Sequence, residues 1–167
     1  MDPKLRKLIL IRGPSGIGKS YYANYHCEKK IGEGQKAIVA EADQFFLDKF
    51  SQYDFQPALL PQAHLWCQEK VRQAMLDKTD IIFVANTFSQ LWELKPYVEL
   101  ALNYRYQIWI ENMFDNLTLN PEQLAQRSIH KVPAKVIDKT IKRTQGKGSG
   151  WLNKELISII LNSSKTF

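Results

Sequence analysis

Cysteine is scarce in this sequence: only Cys27 and Cys67 occur in 167 residues, far apart and without CxxC spacing. That pattern argues against a disulfide framework or a cysteine-ligated metal, and both thiols read as reduced, in a cytoplasmic setting. Long apolar runs are missing too. None approaches the roughly 18 residues that a membrane-spanning helix needs, so no membrane partner is expected. The opening residues, Met1-Asp2-Pro3-Lys4-Leu5-Arg6-Lys7, lead directly into a strand pattern, and no signal peptide is expected there. Internal repeats and low-complexity tracts are also lacking. What remains is ordinary for a single domain with a real core: 44% hydrophobic residues and a formal charge of +6. The positive field concentrates polyanions. A nucleic-acid partner and a plain lysine-rich surface both fit that charge.

Apolar runs alternate with helical patterns, which is the signature of a parallel α/β sheet. Strands are expected over Lys7–Arg12, Lys36–Ala40, Ile81–Ala85 and Tyr106–Glu111. Helices are expected over Lys19–Lys30, Leu60–Leu76 and Trp92–Asn103. Between the second strand and second helix, Asp48 to Pro57 reads as a polar, aromatic loop. After the fourth strand the character turns polar and basic. Asn120 is a candidate N-cap with Pro121 at the first helical position. A further helix is expected from Val132-Pro133-Ala134 to about Arg143. Gly146-Lys147-Gly148-Ser149-Gly150 reads as a flexible linker, and the tail from Trp151 to Leu161 as a last helix. The expected architecture is a three-layer α/β sandwich around a central parallel sheet of four to five strands. A C-terminal helical lid spans about residues 120–145, and residues 146–167 form a linker and a helix packed on the same domain.

The segment Gly13-Pro14-Ser15-Gly16-Ile17-Gly18-Lys19-Ser20 completes the pattern G-x-x-x-x-G-K-[ST] between the first strand and first helix. In that setting it is a P-loop. Glycines let the backbone wrap phosphates, the helix start points N–H groups at the anion, Lys19 reaches the β/γ-phosphates, and Ser20 can ligate Mg²⁺. ATP and Mg²⁺ are therefore the expected cofactors. The nucleotide-holding set is Gly13, Pro14, Ser15, Gly16, Ile17, Gly18, Lys19 and Ser20, joined by Tyr21 and Arg143. Ser20 is the expected metal ligand.

Asp43 lies just past the second strand, where open α/β sheets bind ligands. A carboxylate there can take a proton from an acceptor hydroxyl; a loop cap is the other reading. Glu41 is nearby, falls closer to the strand and can face inward. The third strand, Ile81-Ile82-Phe83-Val84-Ala85-Asn86-Thr87, ends without the acid that often holds Mg²⁺ in such proteins. Metal binding would then rest on Ser20, nucleotide oxygens and water, with Asp43 in the outer shell. Asn86 and Thr87 could bond a phosphate, position Asp43 or form a plain turn. Arg127 suits a lid role, neutralising charge on a transferring phosphoryl group. His130 could bind phosphate or cap a turn. Trp66, Trp92, Tyr53, Phe55, Phe45 and Phe46 offer stacking surfaces, most of these rings read as core, Tyr53 and Phe55 are the best acceptor contacts, and His64 reads as a satisfied core histidine.

These residues together resemble the P-loop kinases of the polynucleotide 5′-hydroxyl kinase group, including single-domain members described as AAA-type. The likeness covers about residues 7 to 145. It rests on Gly13–Ser20, Ala42-Asp43 with Phe45-Phe46, Tyr53-x-Phe55, Ala63-His64-x-Trp66-x-Gln68, Asn86-Thr87, Trp92-Glu93-x-Lys95-Pro96-Tyr97 and Arg127-x-x-His130-x-Val132. The resemblance implies Asp43 as general base on a 5′-hydroxyl, Lys19 and Ser20 at the donor, and Arg127 as a lid arginine on the β/γ-phosphates. It implies a nucleic-acid 5′-OH end, RNA or DNA, as acceptor. Four positions depart from the family pattern. Gln44 stands where a second aspartate is common, and Ala85 replaces an aspartate before Asn-Thr. Phe46 stands in place of an acceptor-contacting arginine, and His130 or Lys131 falls near a second lid arginine. These departures bear on acceptor recognition more than on ATP binding. A small-metabolite kinase and a non-catalytic ATP-binding module are the alternatives.

Overall fold

The computed structural model describes residues 4–47 and 52–166; Met1–Pro3 and the Asp48–Ser51 part of the expected loop lie outside them. Four parallel strands, β1 (Lys7–Arg12), β2 (Ala37–Ala40), β3 (Ile81–Asn86) and β4 (Gln107–Asn112), are joined by a short fifth, β5 (Gly150–Trp151), antiparallel to β4. The sheet order is β2-β3-β1-β4-β5. Helix α1 (Lys19–Gly32) covers one face, while α2 (Leu60–Leu76), α3 (Lys95–Tyr104) and α6 (Lys154–Leu161) cover the other. Short helices α4 (Pro121–Arg127) and α5 (Ala134–Lys142) pack on each other after β4.

Strand alternation sorts the core. Ile11, Ile81, Phe83 and Ala85 meet Ala23 and Cys27 of α1. Leu8, Leu10, Ile82 and Val84 face Ala63, Cys67 and Val71 of α2 and Val98 of α3. β3 is buried at all of its positions, as a central strand covered on both faces must be. The expected helix over Trp92–Asn103 divides into a 3₁₀ turn, Leu91–Glu93, and α3 starting at Lys95. Pro96 sits in the first turn of α3, where its missing N–H has no partner to lose.

The Gly146–Gly150 segment is held by specific bonds. The Gly148 N–H donates to Asp115 Oδ2 at 2.8 Å, and Ser149 Oγ accepts from the Asn112 N–H at 2.9 Å. Trp151 is a strand residue, contrary to the helix expected from it. The Leu152 N–H donates to the Ile108 carbonyl at 2.8 Å, and the Trp109 and Trp151 rings meet edge to face at 5.2 Å. The last helix starts only at Lys154, where the Asn153 side chain accepts from the Leu156 N–H at 2.9 Å.

A buried arginine closes the end of β1. Arg12, only 2% exposed, donates from Nε to the Phe88 carbonyl at 2.9 Å and from Nη2 to the Ser89 carbonyl at 3.1 Å. Burial lowers its pKa to about 10 despite support from Glu93 and Asp115. Ser89 also accepts from Arg143 Nε at its hydroxyl (3.0 Å) and from the Gln145 N–H at its carbonyl (2.8 Å). The chain returning from α5 is thereby tied to the same corner as β1.

Helix α4 lies directly on the loop that follows β1. A Cβ built on Gly16 would stand 2.1 Å from the Leu124 carbonyl oxygen, whereas one on Gly18 meets nothing within 4 Å; both glycines have positive φ, 83° and 105°. Both Gly→Ala changes carry the backbone strain of a left-handed L-residue, about 1–3 kcal/mol. Gly16→Ala must also push α4 off the loop. Denaturant melts should therefore rank Gly16→Ala below Gly18→Ala, and Gly16→Ala alone should raise protease cleavage between α4 and α5. Equal behaviour of the two variants would contradict the close seat of α4.

Candidate active site

The loop between β1 and α1 is anchored from the neighbouring strand. The Gly13 N–H donates to the Thr87 carbonyl at 3.2 Å. Gly16 and Gly18 both have positive φ, the left-handed conformation from which anion nests are built, and the Ile17 N–H closes the turn on the Pro14 carbonyl at 3.3 Å. Lys19 folds back on the loop and donates to the Pro14 carbonyl at 3.0 Å. Burial lowers its pKa from 10.5 to about 8, with Asp43 and Glu41 pulling it back up. Ser20 begins α1, and its hydroxyl donates to Glu41 Oε1. Burial raises the Glu41 carboxyl, opposed by that Ser20 bond.

Asp43 projects from a 3₁₀ turn, Ala42–Phe46, that leaves β2. Four bonds fix this turn and the strand end before it. The Ala42 N–H donates to Asn86 Oδ1 at 2.9 Å, so Asn86 holds the chain next to Asp43. Lys70 of α2 donates to the Val39 carbonyl at 2.9 Å and to Gln44 Oε1 at 2.7 Å. Gln44 Oε1 also accepts from the Glu41 N–H at 3.3 Å. Gln44, where the resembling family has an aspartate, is thus the acceptor that couples α2 to the turn.

Among the described residues the Asp43 carboxylate has two partners. His130 Nε2 donates to Oδ2 at 3.1 Å, and the Tyr53 hydroxyl approaches Oδ1 at 3.5 Å. The His130 and Tyr53 rings lie 4.2 Å apart, inclined by 31°. Burial works to raise the Asp43 pKa. The His130 hydrogen bond and charge, with Lys19 and Tyr53, overcome it and hold the carboxyl below its ordinary value. Tyr53 stacks parallel to Phe55, which is 41% exposed, and Trp66 is 37% exposed beside Phe45. Trp66 is therefore not a core ring.

The segment after β4 reaches back to both halves of the site. Asn120 caps α4, accepting from the Gln123 N–H at 2.9 Å. Ser128, just past α4, meets Ser15 of the loop hydroxyl to hydroxyl at 2.8 Å and accepts from the Val132 N–H at 3.2 Å. Leu124 lies over Gly16 and His130 reaches Asp43. The structure thus brings Lys19, Ser20, Glu41, Asp43 and His130 together. Arg127 is exposed and has no hydrogen bond or ion pair among the described residues. Arg143 is engaged with Ser89 at the arginine corner. Tyr21 is 77% exposed and stacks on Tyr25 at 6.3 Å.

Ser20, Glu41 and Asp43 offer hard oxygen donors, which suits Mg²⁺. Among the described residues no set of three or more His, Cys, Asp or Glu side chains forms a metal cage by itself. Sequence reasoning missed two contacts, Ser20 with Glu41 and Asp43 with His130. The available signal was positional: Glu41 is an acid at the carboxyl end of a parallel strand, and His130 stands in a basic segment near an expected lid arginine.

Comparison with known proteins bears on the family and the fold. The AAA domain family matches residues 8–147. Human NEDD4-binding protein 2 is 31% identical over 138 residues, which is 83% of this chain but 8% of that protein. A chain of the Pnkp1/Rnl/Hen1 RNA repair complex superimposes with a TM-score of 0.64 at 21% identity, over 84% of this chain and 44% of that one. The Mycobacterium tuberculosis APS kinase CysC, in complex with AMPPNP and APS, gives a TM-score of 0.51 at 17% identity, over 66% of this chain and 63% of that one. The two structural likenesses bear on the fold. The chain spans a small part of the curated relative and under half of the repair-complex chain.

The Lys19 environment has a measurable consequence. Its folded pKa, about 8, lies below the 10.5 of the ordinary side chain. Between those values the unfolded chain holds more protons, so stability rises with pH across the window and is lost again as pH falls through 8. Discounted for residual solvent screening, the buried ammonium costs about 2 kcal/mol at neutral pH. Lys19→Met should melt no lower than the native protein at pH 7 without nucleotide, and should flatten the rise between pH 8 and 10.5. The same variant should gain no thermal protection from ATP.

Proposed function

The chain belongs to the AAA domain family of P-loop kinases, and from that premise we propose that it transfers the γ-phosphoryl group of ATP to a hydroxyl, the 5′-OH of a polynucleotide. The observation that carries the reading is the Asp43 carboxylate, fixed by His130 and Tyr53 and electrostatically coupled to the buried Lys19. A general base must be ionised and aimed, and those contacts supply both conditions.

The residues divide the work. The loop amides between Ser15 and Ser20, with Lys19, hold the donor phosphates, and Ser20 would hold Mg²⁺. When bound, that ion would supply neutralisation of the phosphate charge. Asp43 takes the proton of the acceptor hydroxyl as its oxygen bonds to the γ-phosphorus; the bond to the ADP oxygen breaks, and the proton passes to solvent. The freely exposed Arg127 is the lid cation available to the transferring group. Tyr21 lies beside Ser20 as a donor-side contact. Arg143, held by Ser89, borders the lid at its base and completes the nucleotide-side set.

The surroundings of Asp43 support the choice of acceptor. Tyr53, Phe55 and Trp66 present aromatic surface on that side. Bases stack on such rings for about 1–3 kcal/mol each. A formal charge of +6 favours a polyanion.

The test is incubation with γ-labelled ATP, Mg²⁺ and 5′-OH oligonucleotides of RNA and of DNA, with a panel of small hydroxyl metabolites in parallel. Label is expected on the oligonucleotides, and transfer confined to a metabolite would replace the acceptor assignment. Asp43→Asn should cut transfer by about 10²–10⁴-fold while leaving ATP affinity in place. Equal turnover by the variant would remove Asp43 from the chemistry. Phe55→Ala should raise the KM for the oligonucleotide with a smaller effect on kcat.

A further inference from the structure

β3 ends in Ala85 and Asn86, so the strand that could supply a carboxylate beside the phosphate loop supplies none. The acid is one strand over. β2 and β3 pair in parallel with Ala40 opposite Val84. The next residue of each strand, Glu41 and Ala85, therefore comes level. Alternation sends both to the same face. Ala37 and Val39 pack with Phe83 and Ala85 under α1, and Glu41 shares their parity. From there it meets the Ser20 hydroxyl at the first turn of α1.

We propose that Glu41 is the acidic residue of the Mg²⁺ site, holding the hydrated cation together with Ser20 in the position that an acid at Ala85 would otherwise serve. This rests on the nucleotide-site reading given above. The donor direction matters. Ser20 gives its proton to Glu41, which leaves the hydroxyl lone pairs for the cation. A carboxylate that orients a ligand in this way raises its basicity and fixes its geometry. The small side chain of Ala85, 4% exposed, leaves that face of β3 without a competing polar group. Asp43, two residues on, stays with His130 and Tyr53, so metal holding and proton removal fall to different carboxylates.

The experiment titrates Mn²⁺ into the protein loaded with a non-hydrolysable β,γ-imido ATP analogue and reads bound metal by electron paramagnetic resonance. The analogue's affinity in excess EDTA is measured alongside. Glu41→Gln should weaken Mn²⁺ binding by about 10–100-fold and leave the metal-free affinity unchanged. Glu41→Asp, which keeps the charge, should recover part of the loss. Native Mn²⁺ affinity in Glu41→Gln overturns the proposal. So does an equal fall in metal-free affinity, which would make Glu41 a support of the loop and not a metal group. Failure of the analogue to bind the native protein, with or without metal, would overturn the nucleotide-site reading itself.

Discussion

Arg12, Asn86 and Asn112 lie side by side because β1, β3 and β4 pair in parallel without offset, and β2 joins β3 in the same frame. From this level edge depart the phosphate loop, the turn carrying Asp43, the turn through Thr87 and the segment leading to the lid helices. The groups that converge there are separated by long stretches of sequence, and only the common register sets their spacing. A slip of one residue in β2 would turn Glu41 to the α2 face and carry Asp43 away with it. The buried guanidinium of Arg12 resists such a slip in β1, since its donors are matched to two particular carbonyls. An unmatched arginine in that place would cost several kcal/mol.

The lid segment is fastened at three levels. At its base, Arg143 and Gln145 meet Ser89. Over the loop, the Leu124 carbonyl occupies space that only glycine leaves free, and Ser128 pairs with Ser15. On the acceptor side, His130 reaches Asp43. The same short stretch therefore touches the phosphate loop and the turn carrying Asp43 at once.

The readable parts of this chain were those whose physics is local. The loop from Gly13 to Ser20 declares itself because its glycines, lysine and serine are consecutive and sit between a strand and a helix. Helix α2 runs from Leu60 to Leu76 as its apolar periodicity says. The Asn120 cap and Pro121 mark the start of α4 correctly. Pairing between distant residues was less accessible. Nothing near Glu41 announces Ser20, and nothing near His130 announces Asp43. β5 has two residues, too few for any period, so Trp151 looked like part of the helix whose true cap is Asn153. Gln44 looked like a missing acid; its use as an acceptor for Lys70 becomes visible only when α2 lies across the end of β2.

The two cysteines, both buried, occupy opposite layers of the sandwich: Cys27 in α1 packs against the sheet, and Cys67 in α2 accepts from Asn86 Nδ2 at 3.7 Å. Asn86 is also what holds the Ala42 N–H. Each thiol is shielded and pushed upward in pKa by burial, so alkylating reagents act on it only when its own layer opens. The molecule thus carries two native chemical clocks. Alkylation at Cys67 times the opening of the layer behind Asp43, alkylation at Cys27 times the layer behind the phosphate loop, and their ratio reads how far those two breathing motions are independent.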